Sequence, residues 1–441
     1  MPVNPQELIN KAQKAGAAQA EVFEITSKTL KIDVLDQKIE SIDNLMDGGL
    51  GLRIIDKEKR LGFAYATEPE EDLVEAALAN TRFTEPDECH VLPGLAPVET
   101  GDFFDPEIAK TPFKQKIDLA LQVESTAYAC DQRVKKTEKV TYSDSEVEVR
   151  IVNSSGLDVR YKTNHCGASA DMIAEEGNEA ESGLGISYVA KFKDLKALDI
   201  GTEAAIRACE LLGAKTIDPQ KIPLVLDPMV GAQVLGALSP ILSAESAQKG
   251  KSLFADKTGQ SVGSNILILI DNGKLEKGVA SAPADDEGTP SQETILIENG
   301  VLIRFLFNSY SAAKGKTRSS GNAKRSSYKS LPEITPTNFY IKPGSLSPAD
   351  CLRQIKKGLY VTRVMGMHMV NPISGDFSIG AAGIMIENGE RTYPVRGLTI
   401  AGNLTDLLKG IEVICSDLRF IPFSANLGSP TLLVSGLSIS G

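Results

Sequence analysis

The chain has 441 residues, of which 42% are hydrophobic and 24% are charged, and it contains no tryptophan. This length predicts about two or three domains, and the aromatic content of 5% argues against a platform that stacks single-stranded nucleic acid. The 58 acidic and 47 basic side chains give a formal charge of −11, which disfavours binding to a phosphate backbone.

The sequence predicts a cytoplasmic protein. The N-terminus lacks a basic start followed by an apolar run, and the longest uncharged stretch, 228–244, contains Gln233 and Pro240. These features argue against a signal peptide and a membrane helix. The six cysteines are scattered without a C-x-x-C motif, which is typical of free thiols in a reducing compartment.

The N-terminal half alternates between short helices and strands. Asn4, Pro5 and Glu7 fit the first positions of a helix, and Ser154-Ser155-Gly156 separates two alternating runs that predict a hairpin. Five prolines within 85–112 predict an extended surface connection. Strands are predicted at 21–26, 30–35, 49–55 and 61–66, and helices at 69–80, 113–130 and 198–212.

The C-terminal half is predicted to consist largely of hairpins. Asn-Gly, which favours a type I′ turn, follows a strand-like run at 272–273, 299–300 and 388–389. Helices are predicted near 228–248 and 348–357. The prolines around 216–222 predict a domain boundary, which divides the chain into an N-terminal α/β domain, 1–216, and a hairpin-rich domain with mixed or antiparallel sheets, 217–441. The fold class is therefore α+β.

The patterns of catalytic motifs are weak. His90, His165 and His368 are far apart, so no helix presents two imidazoles on one face, and H-E-x-x-H is absent. The pairs Gly49/Gly51 and Gly183/Gly185 lack the third glycine of a dinucleotide-binding turn. Strand glycines that allow close backbone approach are the favoured interpretation.

Two charged clusters allow alternative interpretations. The acids of 175–181 and 285–287 fit either a solvated face, which is favoured, or a site for a hard cation. The basic stretch 314–329, rich in serine and glycine, fits a mobile surface loop or a lid over an acidic partner.

A series of short motifs, spread in order over nearly the whole chain, resembles the TldD/PmbA family, metallopeptidase-like proteins once described as modulators of DNA gyrase. The motifs are Gly49–Arg53, Gly62–Ala64, Asn153–Gly156, Leu226–Pro228, Lys249–Ser252, Thr335–Asn338, Ser374–Ser378, Glu387–Gly389, Tyr393–Val395 and Ile400–Leu404. These residues show no basis for an action on gyrase.

The resemblance implies that TldD-type subunits bind zinc through H-E-x-x-x-H and a later cysteine. The histidine positions fall near Leu235 and Pro240 here, the region 421–426 has no cysteine, and Cys415 does not match the third position. The chain therefore resembles the PmbA (TldE) type, which lacks zinc. No cofactor is expected on this chain, and zinc is expected on the partner subunit.

The resemblance further implies a dimer that encloses a channel, in which an unfolded peptide is held by strand addition and cut at the partner's zinc. A homodimeric peptide-binding or regulatory protein without hydrolysis is the alternative. An enzyme that uses Asp376 and Ser378 with an unknown cofactor is a third hypothesis.

The expected substrate-binding residues are Asn338, Gly375, Asp376, Phe377, Ser378, Gly321 and Asn322; turn chemistry is the simpler interpretation for each. No catalytic residue and no metal ligand is predicted.

Overall fold

The computed structural model describes residues 4–68, 72–99, 101–423 and 425–440. Its N-terminal part is one antiparallel sheet of six strands in the order β3-β2-β1-β4-β5-β6. The strands are β1 Gln19–Leu35, β2 Lys38–Ile55, β3 Leu61–Ala66, β4 Val134–Asn153, β5 Asp158–Glu176 and β6 Glu179–Val189. The helices are α1 Pro5–Lys14, α2 Leu73–Asn80, α3 Pro106–Lys110, α4 Phe113–Cys130 and α5 Ala197–Cys209.

Both faces of this sheet are covered. Helices α4 and α5 bury one face around Ile32, Tyr142 and Met172. On the opposite face, Phe23 packs in one cluster with Tyr328 from the C-terminal half. The N-terminal sheet is therefore a shared wall between its own helices and the rest of the chain.

The C-terminal part contains two large mixed sheets, β17-β20-β7-β14-β15-β16-β21 and β10-β9-β8-β13-β19-β18, and the small pair β11-β12. The strands are β7 Leu224–Leu226, β8 Leu269–Asn272, β9 Glu293–Glu298, β10 Val301–Leu302, β11 Ala323–Lys324, β12 Glu333–Ile334, β13 Asn338–Ile341, β14 Lys357–Met365, β15 Asp376–Glu387, β16 Glu390–Asn403, β17 Ile411–Ile414, β18 Arg419–Pro422, β19 Asn426–Ser429, β20 Leu432–Val434 and β21 Ser438–Ser440. The helices are α6 Pro228–Leu238, α7 Ala244–Gln248, α8 Ser309–Lys314, α9 Pro348–Arg353 and α10 Leu404–Lys409.

The fold is α+β, as the sequence predicts. The proposed boundary at 216/217 stays a prediction; the segment next to it bridges to the C-terminal sheet, Lys215 to Val395 and Gln220 to Ile439. Among the helices of the described residues, none is long and apolar enough to cross a bilayer.

Several local predictions are confirmed. Asn4 caps α1 by accepting a hydrogen bond from the backbone of Gln6, and the predicted strand 61–66 and helix 113–130 have the bounds of β3 and α4. The β4–β5 hairpin forms around Gly156, at a φ of 88°. The predicted helix 69–80 is observed from Leu73 onwards, and its start at 69–71 lies outside the described residues.

Two of the three Asn-Gly hairpins are confirmed, and one is wrong. Asn299 and Asn388 have φ angles of 49° and 53° at the β9–β10 and β15–β16 turns. Asn272-Gly273 makes no hairpin, because β8 pairs with the distant β9. There the Asn272 side chain accepts from the backbone of Lys274 and donates to Glu293, so its amide stabilises a loop instead.

The predicted helix 228–248 is divided. Helix α6 ends at Leu238, a 3-10 turn covers Pro240–Leu242, and α7 follows. Pro240 has no backbone N–H and its ring opposes a preceding helical turn, so the helix stops before it.

The glycines at 183 and 185 allow close approach of a neighbouring backbone, as the sequence predicts. A Cβ at Gly183 would lie 2.0 Å from the backbone nitrogen of Ala208, and one at Gly185 would lie 2.0 Å from the carbonyl oxygen of Ile200. Helix α5 therefore rests directly on the backbone of β6.

We expect Gly183→Ala to lower the free energy of unfolding by about 3 kcal/mol, because the methyl group must push α5 away from the sheet. Gly94→Ala is the matched control, since a Cβ there meets no atom within 4 Å and its φ is not positive. Urea unfolding followed by circular dichroism measures both variants. Equal stability of the two would contradict the packing described for α5.

Candidate functional site

A cavity of about 490 Å3 lies between the N-terminal sheet and the C-terminal half. Its walls come from β2, the connection 85–112, the α6–α7 region, α8 and the segment that contains β12. The lining residues are Arg53, Ile55, Leu61, His90, Val91, Pro240, Ser243, Glu245, Ser246, Glu287, Asn308, Tyr310, Leu331, Pro332, Glu333 and Ile334. The volume is in the range of pockets that hold small ligands or a few residues of a peptide.

The two positions at which the family resemblance places histidines lie within helix α6 and just after it. Leu235 is 1% exposed and belongs to the C-terminal core, whereas Pro240 lines the cavity. Neither side chain carries a lone pair that binds zinc. No group of three or more histidine, cysteine or acidic side chains within the described ranges is arranged to hold a metal ion. These residues do not fit a zinc site.

One side of the cavity is built on a buried network of charges. Arg53 donates to Glu21 at 2.7 Å and to Glu287 at 2.8 Å, and Arg325 donates to the other oxygen of Glu21. All four residues are at most 7% exposed. Glu21 and Arg53 belong to β1 and β2, whereas Glu287 and Arg325 belong to the C-terminal half, so the network joins the two halves of the chain.

The electrostatic environment keeps most of this network charged. Burial alone would lower the pKa of Arg53, but attraction to Glu21 and Glu287 raises it above its ordinary value. Burial would raise the pKa of Glu287, yet Arg53 and the backbone N–H of Ser309 lower it. The pKa of Arg325 is lowered because burial outweighs its attraction to Glu21. Buried ion pairs of this kind need every partner.

The interpretation of 285–287 as a solvated acidic face is wrong, because Asp285, Asp286 and Glu287 are all buried. Asp285 accepts backbone hydrogen bonds from Glu287, Thr289 and Ala323. Burial and the neighbouring Glu287 raise the pKa of Asp285 well above its ordinary value. The cluster is thus an internal support for the cavity wall.

The interpretation of 314–329 as an exposed loop is wrong for its central part. Ser320, Gly321, Asn322 and Ala323 are buried, and Arg325 is 4% exposed. The basic residue at 325 is the internal partner of Glu21, whereas the other basic side chains of the stretch stay at the surface or half-buried.

Two of the predicted site residues, Gly321 and Asn322, lie in a buried network around Asp271. The Asn322 amide donates to Asp271 at 2.6 Å, and Thr337 donates to it through its backbone N–H at 2.6 Å and its hydroxyl at 3.0 Å. Gly321 has a φ of 72°, which presents Asn322 to the carboxylate. Burial raises the pKa of Asp271 from 3.8 to about 6, although these hydrogen bonds act in the opposite direction.

Asn338 is fully buried and all of its hydrogen-bonding capacity is used. Its amide nitrogen donates to the Asn272 carbonyl and the Ser281 hydroxyl, and its oxygen accepts from the Asn426 side chain and the Ala280 backbone. It connects β13, to which it belongs, with β19 and with the loop 273–281 that follows β8. Contact of Asn338 with substrate stays a prediction.

The remaining predicted residues, Gly375, Asp376, Phe377 and Ser378, begin β15 and do not line the cavity. Asp376 and Ser378 are exposed, and Phe377 points into the core. The Asn403 side chain donates to Asp376 at 2.9 Å and lowers the pKa of its carboxyl. Gly375, at a φ of 81°, turns the chain into the strand. Their role in substrate binding also stays a prediction.

His90 and Tyr310 are cavity residues that sequence reasoning did not select. Their rings are 5.5 Å apart, and the Tyr310 hydroxyl donates to Asp87 at 2.8 Å. The Nδ1 atom of His90 lies 2.8 Å from the Lys59 carbonyl oxygen. No motif indicated them, because these contacts join the connection 85–112 to the β2–β3 turn and to α8 only after folding.

We expect Arg53→Met to lower the free energy of unfolding by about 3–5 kcal/mol, because Glu21 and Glu287 then lose a buried partner. Arg160→Met is the control: its pair with Glu148 is exposed, and its loss should cost less than about 1 kcal/mol. Chemical denaturation of both proteins tests this. A cost for Arg53→Met no greater than for Arg160→Met would contradict a role of the network in joining the two halves.

We expect the stability difference between the wild type and Asp271→Asn to depend on pH. The folded carboxyl titrates at about 6 and the unfolded one at 3.8, so the folded state binds more protons between these values. The stability that protonated Asp271 contributes is complete below 3.8 and is lost as the pH rises through 6. The wild type should therefore lose about 2 kcal/mol relative to the variant between pH 4 and pH 7.

Asp376→Asn is the control for this titration, because the pKa of the exposed Asp376 is lowered. The stability difference between the wild type and Asp376→Asn should therefore stay nearly constant over the same pH range. Urea denaturation at several pH values gives both differences. A flat profile for Asp271→Asn would show that the buried carboxyl titrates normally.

Three family models match successive parts of the chain. The PmbA/TldA metallopeptidase domain 1 matches 20–81, the central domain matches 106–212, and the C-terminal domain matches 219–441. The chain is 29% identical to metalloprotease PmbA of Escherichia coli O157:H7, over 99% of this chain and 96% of that protein. It is 27% identical to a metalloprotease TldD homolog of Haemophilus influenzae, over 90% and 87%.

Solved structures have the same architecture. A Thermotoga maritima protein, described as a proposed modulator of a DNA gyrase, superposes with a TM-score of 0.90 at 28% identity and 99% coverage of both chains. TldE from Thermococcus kodakarensis shares the fold, with a TM-score of 0.91 at 22% identity and 99% coverage of both chains. Because the family models together cover most of the sequence, this chain belongs to the PmbA/TldD metallopeptidase family.

Proposed function

We propose that this protein is the non-catalytic subunit of a TldD/TldE-type zinc metallopeptidase in the cytoplasm. It shapes a channel that holds unfolded peptides, and a zinc-bearing paralogue cuts them. One observation carries the proposal: Pro240, one of the two positions where the family resemblance expects zinc ligands, lines a peptide-sized cavity, and Leu235, the other, is buried in the core. The cavity is present, but neither of these side chains can bind zinc.

The presence of differently named members in the family supports a partnership between unlike subunits. Relatives of this chain include proteins named PmbA, TldD and TldE. A subunit without ligands gains hydrolysis by assembly with one that has them. The six cysteines, all free thiols, fit a reducing compartment.

The wall of the cavity offers a way to hold a peptide without specific side chains. Segment 331–334 lines the cavity, and β12 pairs with β11 alone among the described strands. Its other edge is available to an extended peptide, whose main chain would supply the hydrogen bonds. We propose that Gly321, Asn322 and Asn338 contribute to substrate binding from the loops behind this wall. Gly375–Ser378 would border the channel in the assembled dimer.

The test is to purify the chain alone, the H-E-x-x-x-H paralogue of the same genome alone, and their mixture. We expect zinc only with the paralogue and full cleavage of an unfolded peptide only in the mixture, because the ligands and the complete channel lie on different chains. Metal analysis, size-exclusion chromatography and peptide cleavage give the three measurements.

A paralogue with Gln in place of the glutamate of its zinc motif is the matched control, since it should assemble without cleaving. Zinc-dependent cleavage by this chain alone would contradict the proposal. Self-association with peptide binding, and no complex with the paralogue, would instead establish the homodimeric binding protein.

A further inference from the structure

A second cavity, of about 640 Å3, lies between α5 and the C-terminal sheets, away from the first one. It is unusual in its charges, because three arginines and four acids line it together with a tyrosine. The lining residues are Ile186, Ser187, Asp199, Ile200, Thr202, Glu203, Ile206, Arg207, Glu210, Asp227, Tyr360, Arg391 and Arg419. It shares no lining residue with the first cavity.

Most of these charges are already paired across the two halves of the chain. Arg419 binds both oxygens of Glu203, and Arg207 binds Glu203 and Asp227, each at 2.8 Å. The Tyr360 hydroxyl donates to the second oxygen of Asp227 at 3.1 Å. These side chains form a wall whose charges are paired with one another.

Arg391, Glu210 and the exposed Asp199 remain. Among the described residues none of these three forms an ion pair, although all three line the same cavity. The Arg391 guanidinium lies on the Tyr360 ring, 3.4 Å from its centre, which fixes its plane and leaves its N–H groups free. Glu210 lies at the end of α5, and burial raises the pKa of its carboxyl even though Arg207 and Arg391 are near. An ammonium group in the cavity would supply the cation that Glu210 lacks.

We propose that this cavity binds a small zwitterion, whose carboxylate is held by Arg391 and whose ammonium group is held by Glu210. This is the chemistry shared by free amino acids and short peptides. A planar guanidinium matches a carboxylate through two parallel hydrogen bonds. A ligand that carries both charges adds no net charge to a cavity whose ion-paired side chains, two arginines and two acids, balance one another, whereas a lone anion would meet the surrounding acids. Binding at this second cavity does not depend on peptide cleavage, because its lining residues belong to this chain and are separate from those of the first cavity.

The test is titration calorimetry of the purified chain with glycine, diglycine and triglycine. Each binding ligand is then compared with its N-acetyl form, which lacks the ammonium group, and its amide form, which lacks the carboxylate. We expect saturable binding of at least one zwitterion and a loss of about tenfold or more in affinity when either end is blocked. The three lengths distinguish an amino-acid site from a peptide site.

Arg391→Gln and Glu210→Gln then assign the two ends. Arg391→Gln should reduce affinity for the zwitterion to that of the amide form, and Glu210→Gln should reduce it to that of the N-acetyl form. Arg82→Gln is the matched control, because Arg82 also lies on an aromatic ring, that of Phe83, at 4.7 Å, and does not line this cavity. Thermal melts report whether each variant is folded.

Three results would overturn the proposal. One is the absence of saturable binding by all three zwitterions, and another is equal affinity for zwitterionic and blocked forms. The third is unchanged binding by folded Arg391→Gln and Glu210→Gln proteins. The ligand series on the wild type is decisive even if a variant does not fold.

Discussion

The buried charges of Glu21, Arg53, Glu287 and Arg325 hold the N-terminal sheet against the C-terminal half of the chain. They lie between the N-terminal sheet and loops of the C-terminal half, where water is excluded and each charge needs its partner. An apolar interface could slide by a residue at small cost, but paired guanidinium and carboxylate groups fix one position. The cavity beside Arg53 and Glu287 owes its shape to this fixed junction.

The same junction explains why local patterns predicted the elements better than the site. The turns at Asn299-Gly300 and Asn388-Gly389, the cap at Asn4 and the close approach at Gly183 depend on nearby atoms, so composition and spacing suffice. Glu287 and Arg53 are 234 residues apart. A single sequence shows three adjacent acids at 285–287 and gives no sign of the arginine that neutralises one of them, and exposure was the natural but wrong expectation.

One signal of the network was present. Glu21 alternates with Phe23 and Ile25 along β1, so its next two neighbours on this face of the strand are apolar. An acid on an apolar face indicates an internal partner, whereas an acid in a loop does not. The hairpin prediction at Asn272-Gly273 failed for the opposite reason. The dipeptide favours a turn locally, but pairing of β8 with β9 outweighed this preference.

The surroundings of Leu235 and Pro240, where the family resemblance expects zinc ligands, show how the cavity is stabilised. In many small metal sites the ion itself stabilises the fold, so that loss of ligands collapses the site. Here Leu235 packs into a large core, Pro240 starts a separate turn, and the opposite wall rests on Arg53 and Glu287. The walls are therefore stabilised without any metal. The proposed division of roles, in which one subunit shapes a substrate path and its partner performs the chemistry, requires walls of this kind.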